Sequence, residues 1–296
     1  MIETPSISRK AFVFINTTFL ILFSFICIAP LIHLFMASIS DPRKLMNTSG
    51  LLLLPAGKPT LKGYALIFKN KDIFIGYFNI LIYEVATTVL CVAGTTVAGY
   101  VTSKKNLRLA KPLTAFILIT MMFNGGLIPS YMVNRSLHLV NTRWAIILPG
   151  VLNAFYIIVM KSAFEQLPSS FEESAFIDGA GPIRTLFTIL MPLVKATVVV
   201  IIMFNIVQQW NAWFPASIYL TRRRDLWPLQ LFIKEVLVQN DTSRLVTGAD
   251  ALGVADFTSN LVKYGTAVIG VLPMLILYPF TQKYFVEGAT LGGVKG

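Results

Sequence analysis

The stretch EESAFIDGAGPIRTLFTILMP, residues Glu172–Pro192, separates two long apolar runs of the chain. It contains three acidic residues, and its glycines and prolines stand where helices usually end and begin. The runs on either side are long enough to be membrane helices. The runs therefore decide the fold, and the polar connection between them requires a separate explanation.

Hydrophobic residues make up 55% of the 296-residue chain and charged residues only 13%, with a mean hydropathy of +0.69. These values indicate an integral membrane protein. A helix that crosses the bilayer core needs about 20 apolar residues. Six segments meet this requirement, approximately Phe12–Met36, Ile75–Val101, Pro112–Val133, Trp144–Phe164, Val194–Leu220 and Gly265–Phe285.

The six runs are apolar on all faces and lack the alternation of β-barrel strands, so the sequence predicts an all-α membrane protein with six transmembrane helices. The first run is too long for the apolar region of a signal peptide, and no small-x-small cleavage site follows it. We interpret it as a retained span. Six spans place both termini on the same side of the membrane.

The charges of the loops give two conflicting answers about which side of the membrane holds the termini. With the N-terminus inside, 14 of the 25 basic residues would lie outside, against the positive-inside rule. Among the shortest loops, however, Ser103–Lys111 holds four basic residues, and the loop after the third span holds two, Arg135 and Arg143. The short loops favour a cytoplasmic N-terminus.

No catalytic or metal motif is present in the sequence. His33 and His138 are the only histidines, and neither has a second ligand at metal-site spacing. The tail GATLGGVKG resembles a phosphate-binding loop in composition, but Val294 stands where that motif requires Lys. We predict that the chain is not an enzyme, has no catalytic residue, metal or cofactor, and leaves ATP and Mg²⁺ to another chain.

The net charge of +11 is spread over all loops, which favours contacts with lipid headgroups over nucleic acid. Cys27 and Cys91 both lie in predicted spans, so they are expected to be buried thiols.

The polar connection is predicted to form two short helices. Ser170 and Glu173 have the spacing of a capping box, so the first helix is expected to start at Phe171 and to end at Gly179. Pro182 stands at the first position of the second helix. There, an apolar stripe is predicted from the helical spacing of Ile183, Leu186, Phe187 and Leu190. Pro192 then separates this helix from the fifth span, so the result is an elbow on the membrane surface.

This connection resembles the EAA loop of ABC importer permeases, whose pattern is E-A-A-x-x-x-G-A, eight residues, then I-x-L-P. Every spacing matches. Ser174 replaces the second Ala and Met191 replaces Leu, both small changes of size. The segments FNIVQQWNAWFPASIYL and FVEGATLGGVKG are similar to carbohydrate-type permeases, including the second permease subunit of maltose importers. The segment GGLIPSYMVNRSLHLVNTRWAIILPG is similar to permeases for complex oligosaccharides and polysaccharides.

The resemblance implies the type I ABC importer permease fold, in the cytoplasmic membrane of a bacterium, with both termini cytoplasmic. It implies a heterodimer with a second, related permease, two ATPase subunits that receive the elbow in a cleft, an outer solute-binding protein and a carbohydrate substrate. Expected regions are a cytoplasmic N-terminus (1–11), a transmembrane domain (12–285) with external loops at about 40–72 and 221–264 and the EAA loop at 168–192, and a cytoplasmic tail (286–296).

The resemblance also assigns roles to residues. Glu173 is expected to cap its helix and pair with a basic group of the ATPase, and Gly179 to provide the turn. The full coupling set is Glu173, Ser174, Ala175, Asp178, Gly179, Ala180, Ile189 and Pro192. The tail is too rich in glycine for a stable helix. Its expected ATPase-contacting residues are Gly292, Gly293 and Lys295.

Polar residues within spans tend to face a bundle interior or a water-filled cavity. By this argument the candidates for the substrate pathway are Asn205, Gln208, Gln209, Trp210, Asn211, Trp213, Asn153, Tyr156, Asn124 and Glu84, with Asn79 as a further polar residue. The tryptophans would stack on sugar rings. The alternative is an interfacial aromatic belt with hydrogen bonds between helices.

The sequence makes two further structural predictions. Gly94, Ala98 and Gly99 give the second span a small-residue face for close packing. Within the external loops, which the resemblance makes the landing surface of the binding protein, Leu229–Leu237 is a candidate helix.

Two other classes of membrane protein are alternatives to the importer permease. A stand-alone secondary transporter would show inverted repeats, and the chain has no convincing internal repeat. A polytopic membrane enzyme would need a reactive cluster, which two isolated histidines do not supply. For the elbow itself, the local alternative is a helix that merely lies among lipid headgroups.

Overall fold

The computed structural model describes residues 7–238 and 255–293, and all regular structure in these ranges is helical. The α-helices are α1 (Ile7–Ser38), α2 (Pro42–Met46), α3 (Lys62–Lys69), α4 (Lys71–Ser103), α5 (Ala110–Met122), α6 (Leu127–Ser136), α7 (Trp144–Ile147), α8 (Ala154–Glu165), α9 (Ser170–Ile177), α10 (Pro182–Arg184), α11 (Met191–Leu193), α12 (Lys195–Trp210), α13 (Trp213–Tyr219), α14 (Leu229–Val238) and α15 (Ala255–Gly293). Two 3₁₀ turns (Leu148–Gly150 and Arg224–Leu226) and a π-helical segment (Thr185–Leu190) lie between them.

Three continuous stretches are long and apolar enough to cross a membrane, Ser8–Ser38, Lys71–Ser103 and Ser259–Pro279. Three pairs of helices meet the same requirement when each bent pair is taken together, with bends of 119° (Ala110–Met122 with Leu127–Ser136), 41° (Trp144–Gly150 with Ala154–Glu165) and 86° (Pro182–Leu193 with Lys195–Trp210). The described residues thus supply up to six spans. The all-helical prediction is confirmed, but the third, fourth and fifth spans are not single straight helices.

An asparagine stands at the break of two of the three bent pairs, and another stands at the far end of the third pair, after α12. Asn124 accepts a hydrogen bond from the N–H of Gly126 at 2.9 Å, and Asn153 accepts one from the N–H of Phe155 at 2.9 Å. Asn211 follows the last residue of α12 and donates to the carbonyl of Val207 at 2.7 Å. Each carboxamide thus bonds a backbone group near a helix end. Gly126 (φ 86°) makes the sharpest of these turns, in a conformation that a side chain would disfavour.

The chain divides into two compact units. In its described residues the first unit comprises 7–73, 233–238 and 255–272. Ala37, Leu45 and Leu261 form its small core. His33 accepts a hydrogen bond from the N–H of Leu52 at 3.0 Å, so this histidine has a structural partner. Most of α1 is exposed, with only 6% of its most apolar stretch buried, as suits a helix that faces lipid or another chain.

The second unit comprises residues 74–232 and, from the C-terminal helix, 273–293. At one end α4 is tied to the segment 225–227. Asn79 donates to the carbonyls of Asp225 (2.7 Å) and Trp227 (3.1 Å) and accepts from Arg143 (3.0 Å), while Tyr83 donates to the carbonyl of Leu226 (2.6 Å). The carboxamide of Asn79 is thus used by the fold itself, although the sequence suggested it as a pathway residue.

The exposed turn beside this tie carries an ion pair of its own. Arg223 donates two hydrogen bonds to Asp225, at 2.9 and 2.8 Å, and these hold the pKa of that carboxyl below its usual range. The candidate helix Leu229–Leu237 is present as α14. Residues 239–254 of the same loop, which was predicted to be external, lie outside the described residues.

At its other end the second unit is built around one apolar cluster, here called the inner core: Cys91, Tyr156, Met160, Phe164, Leu186, Leu190, Val194, Val198 and Ile201. It joins α4, α8, the π-helical segment and α12. Two glycines allow α4 to pack closely against Leu152 and against Met160 of α8. A Cβ on Gly94 would lie 2.8 Å from Cδ2 of Leu152, and one on Gly99 would lie 2.7 Å from Cγ of Met160. The predicted small-residue face of the second span is confirmed at these two positions.

The C-terminal helix corrects one prediction. α15 continues to Gly293, so residues 288–293 are helical although their glycine content argued against it. Because α15 is already formed, each residue that extends it adds only the free energy of helix propagation. The larger cost of helix nucleation does not arise again. The first six residues and the last three lie outside the described residues.

Gly99→Ala is expected to destabilise the protein by about 1–3 kcal/mol, the usual cost of overpacking. The added methyl would meet Cγ of Met160 at 2.7 Å and the backbone nitrogen of Lys161 at 3.1 Å, so α8 must move. The measurement is the thermal unfolding midpoint of the detergent-purified protein. The matched control is Gly125→Ala, whose methyl would meet only Cβ of Pro129 at 3.7 Å. Equal midpoints for the two variants would contradict close α4–α8 packing.

Candidate functional site

The first arm of the elbow is α9, which begins at Ser170, with Ser169 before it. Ser169 has helical backbone angles (φ −61°, ψ −24°) and makes no side-chain cap. The predicted capping box of Ser170 and Glu173 is therefore wrong. A cap requires an extended residue before the helix, whereas Ser170 is already helical and the carbonyl of Ser169 accepts from the N–H groups of Glu172 and Glu173.

The turn after α9 is a Schellman motif, as the glycine predicted. Gly179 has φ 74°, the N–H of Gly179 donates to the carbonyl of Phe176 (3.0 Å), and the N–H of Ala180 donates to the carbonyl of Ala175 (2.8 Å). No atom lies within 4 Å of a Cβ added at Gly179, so the requirement for glycine here is conformational and not a matter of space.

The second arm starts with Pro182 at its first helical position, as predicted, and passes into the π-helical segment Thr185–Leu190. The predicted apolar stripe is only half correct. Leu186 and Leu190 are buried, whereas Ile183 is 77% exposed and Phe187 41% exposed. The prediction assumed 3.6 residues per turn, and the wider π turn rotates the later side chains away from that stripe. A wider turn before Pro192 also relieves the clash of a proline ring with the carbonyl four residues earlier.

The elbow presents an apolar surface that the fold leaves uncovered. Phe176 (53% exposed), Ile177 (85%) and Ile183 (77%) form this surface, here called the elbow tip. Glu173 and Asp178 are exposed beside it. Ala175 and Ala180 are buried beneath, where α9 packs on the π-helical segment. Both alanine side chains therefore lie inside the elbow and not on its exposed surface.

The remaining coupling candidates differ in exposure. Ser174 and Pro192 are exposed and Ile189 is half-buried. In the tail, Gly292 and Gly293 belong to α15, and Lys295 lies outside the described residues.

One contact of the elbow was missed by sequence reasoning. Lys104, the first residue after α4, forms an ion pair with Glu172 in the first turn of α9. The Lys104 Nζ also lies 4.1 Å from the centre of the Tyr100 ring. No local pattern indicates this contact, because the two partners are 68 positions apart in the chain.

The structure brings part of the predicted pathway set together. Thr88 donates to Oδ1 of the buried Asn205 at 3.0 Å, and Tyr156 donates to Oε1 of the exposed Gln208 at 3.0 Å. The ring of Phe204 stacks on Tyr156, with the planes inclined by 6°. These five residues are here called the polar layer. Thr88 and Phe204 were not in the predicted set, since single hydroxyl and phenyl groups in a span carry no signal of their own.

Other predicted pathway residues have different surroundings. Asn124, Asn153 and Asn211 use their carboxamides at the helix breaks. Trp210 is only 4% exposed, so in this conformation its ring faces protein, whereas Trp213 is 36% exposed. Oε1 of Gln209 would lie 3.6 Å from a Cβ added at Gly150.

Glu84 is the least satisfied polar side chain among these candidates. It is only 8% exposed, and neither carboxyl oxygen has a hydrogen-bond partner among the described residues. The hydroxyl of Thr87, one turn further along α4, is likewise buried without a described partner. A buried carboxyl without partners carries a desolvation cost, so its presence suggests a function other than stability.

Comparison with known proteins identifies the family. Residues 91–287, which include the elbow, match the family described as "Binding-protein-dependent transport system inner membrane component". The chain belongs to this family. It is therefore a multi-pass permease of the inner membrane, the transport component of an ABC importer that works with a separate ATPase and a binding protein.

Similar proteins cover almost the whole permease. It is 32% identical over 286 residues to the Polygalacturonan/rhamnogalacturonan transport system permease protein YtcP of Bacillus subtilis (strain 168), covering 94% of this chain and 96% of that protein. It is 26% identical to the Arabinooligosaccharides transport system permease protein AraQ of Halalkalibacterium halodurans, covering 92% and 93% of the two chains.

Among solved structures, the permease is similar to a chain of a bacterial ABC transporter involved in the import of the acidic polysaccharide alginate. The TM-score is 0.86 at 29% identity, over 95% of this chain and 99% of that one. The fold predicted from the EAA resemblance is thus confirmed.

Glu84→Met is expected to raise the unfolding midpoint of the permease, because it removes a buried carboxyl that lacks partners, at a gain of about 1–3 kcal/mol. Transport should fall if the carboxyl serves the pathway. The matched control is Glu165→Met, which removes a carboxyl paired with Lys161 at 2.7 Å and should not stabilise. A lower midpoint for Glu84→Met than for the unmodified protein would show that the carboxyl has a stabilising partner.

Proposed function

We propose that this permease forms the pore of an importer for an oligosaccharide or polysaccharide fragment, and that its elbow couples the pore to the ATPase. The observation that carries the coupling role is the elbow tip, three exposed apolar side chains on a polar connection whose turn is the Schellman motif at Gly179. Exposed apolar patches with polar rims are typical of protein-binding surfaces.

The charge around the tip distinguishes a protein partner from the lipid surface. A helix that lies among anionic headgroups is rich in Lys and Arg on its polar face. Here two exposed acids, Glu173 and Asp178, and one exposed base, Arg184, flank the tip, so it lacks the excess of Lys and Arg that a headgroup-binding helix carries. Acidic groups beside an apolar surface suit a cleft with basic residues at its edge. We assign this cleft to the ATPase, and Glu173 and Asp178 to its rim.

The carbohydrate assignment rests on the relatives and on the chemistry of the polar layer. Two of the similar permeases are named for arabinooligosaccharides and for polygalacturonan or rhamnogalacturonan, and the similar structure is that of an alginate importer. Amide and phenol groups bond hydroxyls, and aromatic faces suit the apolar faces of sugar rings. Gln208, Tyr156 and Phe204 combine these groups in one place, so we assign the substrate pathway to this layer.

The remaining architecture follows from these two roles. An elbow that binds a cytoplasmic ATPase lies on the cytoplasmic side, and with six spans both termini then lie there too. We further propose a second, related permease beside this one, with two ATPase subunits below, as the resemblance of the EAA loop implies. The external loops then face the binding protein.

The coupling role predicts that Gly179→Asp abolishes substrate transport and weakens retention of the ATPase. The substitution forces a side chain onto a left-handed residue and adds a charge beside the tip. The measurement is recovery of the ATPase and a second permease with the tagged permease in mild detergent, together with transport. The matched control is Gly50→Asp, because Gly50 also has a positive φ (101°) and open surroundings but lies outside the elbow.

Equal ATPase recovery and equal transport for the two variants would remove the elbow from the coupling role. Recovery of the unmodified permease alone, without any ATPase, would contradict the partner assignment.

The carbohydrate role predicts that deletion of the permease abolishes uptake of labelled oligosaccharides by the native host, while uptake of unrelated amino acids is unchanged. A panel of neutral and uronic-acid oligosaccharides would identify the substrate. Gln208→Leu should weaken uptake about tenfold by removing one hydrogen-bonding group from the layer, since a lost hydrogen bond costs roughly 1.4 kcal/mol. Unchanged uptake of every sugar after deletion would refute the carbohydrate assignment.

A further inference from the structure

The elbow is linked to the second span by a contact that neither the motif nor the chain connectivity requires. In sequence the elbow connects α8 to α12, so those two helices are its expected mechanical neighbours. In the structure, Lys104 at the end of α4 forms an ion pair with Glu172 of α9. The elbow is thus joined to α8 and α12 through the chain itself, and to α4 only through side chains.

Lys104 is held in place by its surroundings. Its Nζ lies 4.1 Å above the Tyr100 ring, one turn back on α4. The Tyr100 ring in turn meets Phe164 of α8 edge to face, with ring centres 5.9 Å apart. Phe164 belongs to the inner core together with Leu186 and Leu190 of the elbow. A cation over an aromatic ring is favourable, so the ammonium is pre-positioned for Glu172.

Lys104 differs from the other basic residues of its loop. Lys105, Arg108 and Lys111 are exposed, whereas the Lys104 side chain is only 28% exposed and that of Glu172 only 26%. Partial burial strengthens a charge pair relative to one fully in water. Among the acids of the elbow, Glu172 is half-buried against the permease, while Glu173 and Asp178 point to solvent. The acids thus divide into one that faces inward and two that remain available to a partner.

The helix that Lys104 terminates is also closely packed to α8. Gly99 allows contact with Met160, so the end of α4 cannot shift easily past α8. The ion pair extends this attachment from α8 to α9. A displacement of α9 therefore pulls on α4 directly, and α4 carries Thr88 of the polar layer and the unpartnered Glu84.

From these contacts we propose that Lys104, Tyr100 and Glu172 form a clasp that transmits movement of the elbow to the second span. This inference rests on the proposed coupling function, since the clasp has a role only if the elbow moves with the ATPase. Lys104 and Glu172 are positioning residues in this account, because they act through α9 and contact no substrate.

The test uses the complete importer, with its second permease, ATPase and binding protein, in proteoliposomes. The readout is the number of substrate molecules transported per ATP hydrolysed, together with the stimulation of ATPase activity by the loaded binding protein. Lys104→Ala and Glu172→Ala are each expected to lower transport per ATP about two- to fivefold, the range expected for loss of a partly exposed ion pair. The double variant should be no worse than either single one, since both remove the same contact.

Two further variants separate the clasp from simple loss of structure. Lys104→Arg keeps both the charge and the ring contact, so it should retain transport per ATP within experimental error. Tyr100→Leu keeps an apolar side chain but removes the ring beneath Lys104, so it should lower transport per ATP in the same direction as Lys104→Ala. Lys105→Ala, which removes an exposed neighbouring charge, is the matched control and should match the unmodified importer.

The outcomes distinguish failure of the clasp from failure of the proposed coupling function on which the clasp rests. Two results together support the clasp. Lys104→Ala lowers transport per ATP while ATPase recovery stays normal, and Lys104→Arg keeps normal transport per ATP. Normal transport per ATP in both alanine variants, when Gly179→Asp is uncoupled, overturns the clasp and leaves the elbow's function intact. Normal transport in Gly179→Asp as well overturns both.

Discussion

A backbone that crosses lipid must satisfy its own hydrogen bonds, because the bilayer core offers no water to do so. An unbroken helix meets this constraint, but three regions of this permease are bent; an asparagine stands at the break in the first two, whereas the third breaks at Val194 and has Asn211 at the far end of α12. Asn124 and Asn153 accept from backbone N–H groups, while Asn211 donates to a backbone carbonyl. The bonds of Asn124 and Asn153 lie at the bends of 119° and 41°. The 86° bend that separates α12 from the elbow arm lies at Val194, whose N–H still donates to the carbonyl of Leu190 at 3.3 Å.

This constraint explains what could be predicted from the sequence. Long apolar runs predict helices because hydropathy averages over about 20 residues, and the same averaging hides a break of two to four residues. Gly179 predicted its turn correctly because the left-handed conformation selects glycine almost alone. The prediction of a capping box at Ser170 was wrong because the motif depends on backbone angles that the amino-acid sequence alone does not specify. The stripe at Ile183 and Phe187 failed because its period was taken as that of an α-helix.

The candidate site was predictable where its chemistry is local. The elbow's spacing marks it in the sequence, and the use of its exposed tip at Ile177 as an ATPase contact stays a prediction. The asparagines predicted to line the pathway have a competing structural use, which composition could not distinguish from a pore-lining one. The ion pair of Lys104 with Glu172 could not be predicted, because loop charges in a membrane protein are expected at the headgroups whether or not they pair.

The packing of the second unit shows how one surface movement could reach the membrane interior. Leu186 and Leu190 of the elbow lie in the same cluster as Tyr156 of α8, and Tyr156 bonds Gln208 of α12. A close-packed core transmits displacement because it leaves few voids to absorb it. Under the proposed coupling, a movement of the elbow has two routes to the polar layer, the inner core toward α8 and α12, and the clasp toward α4.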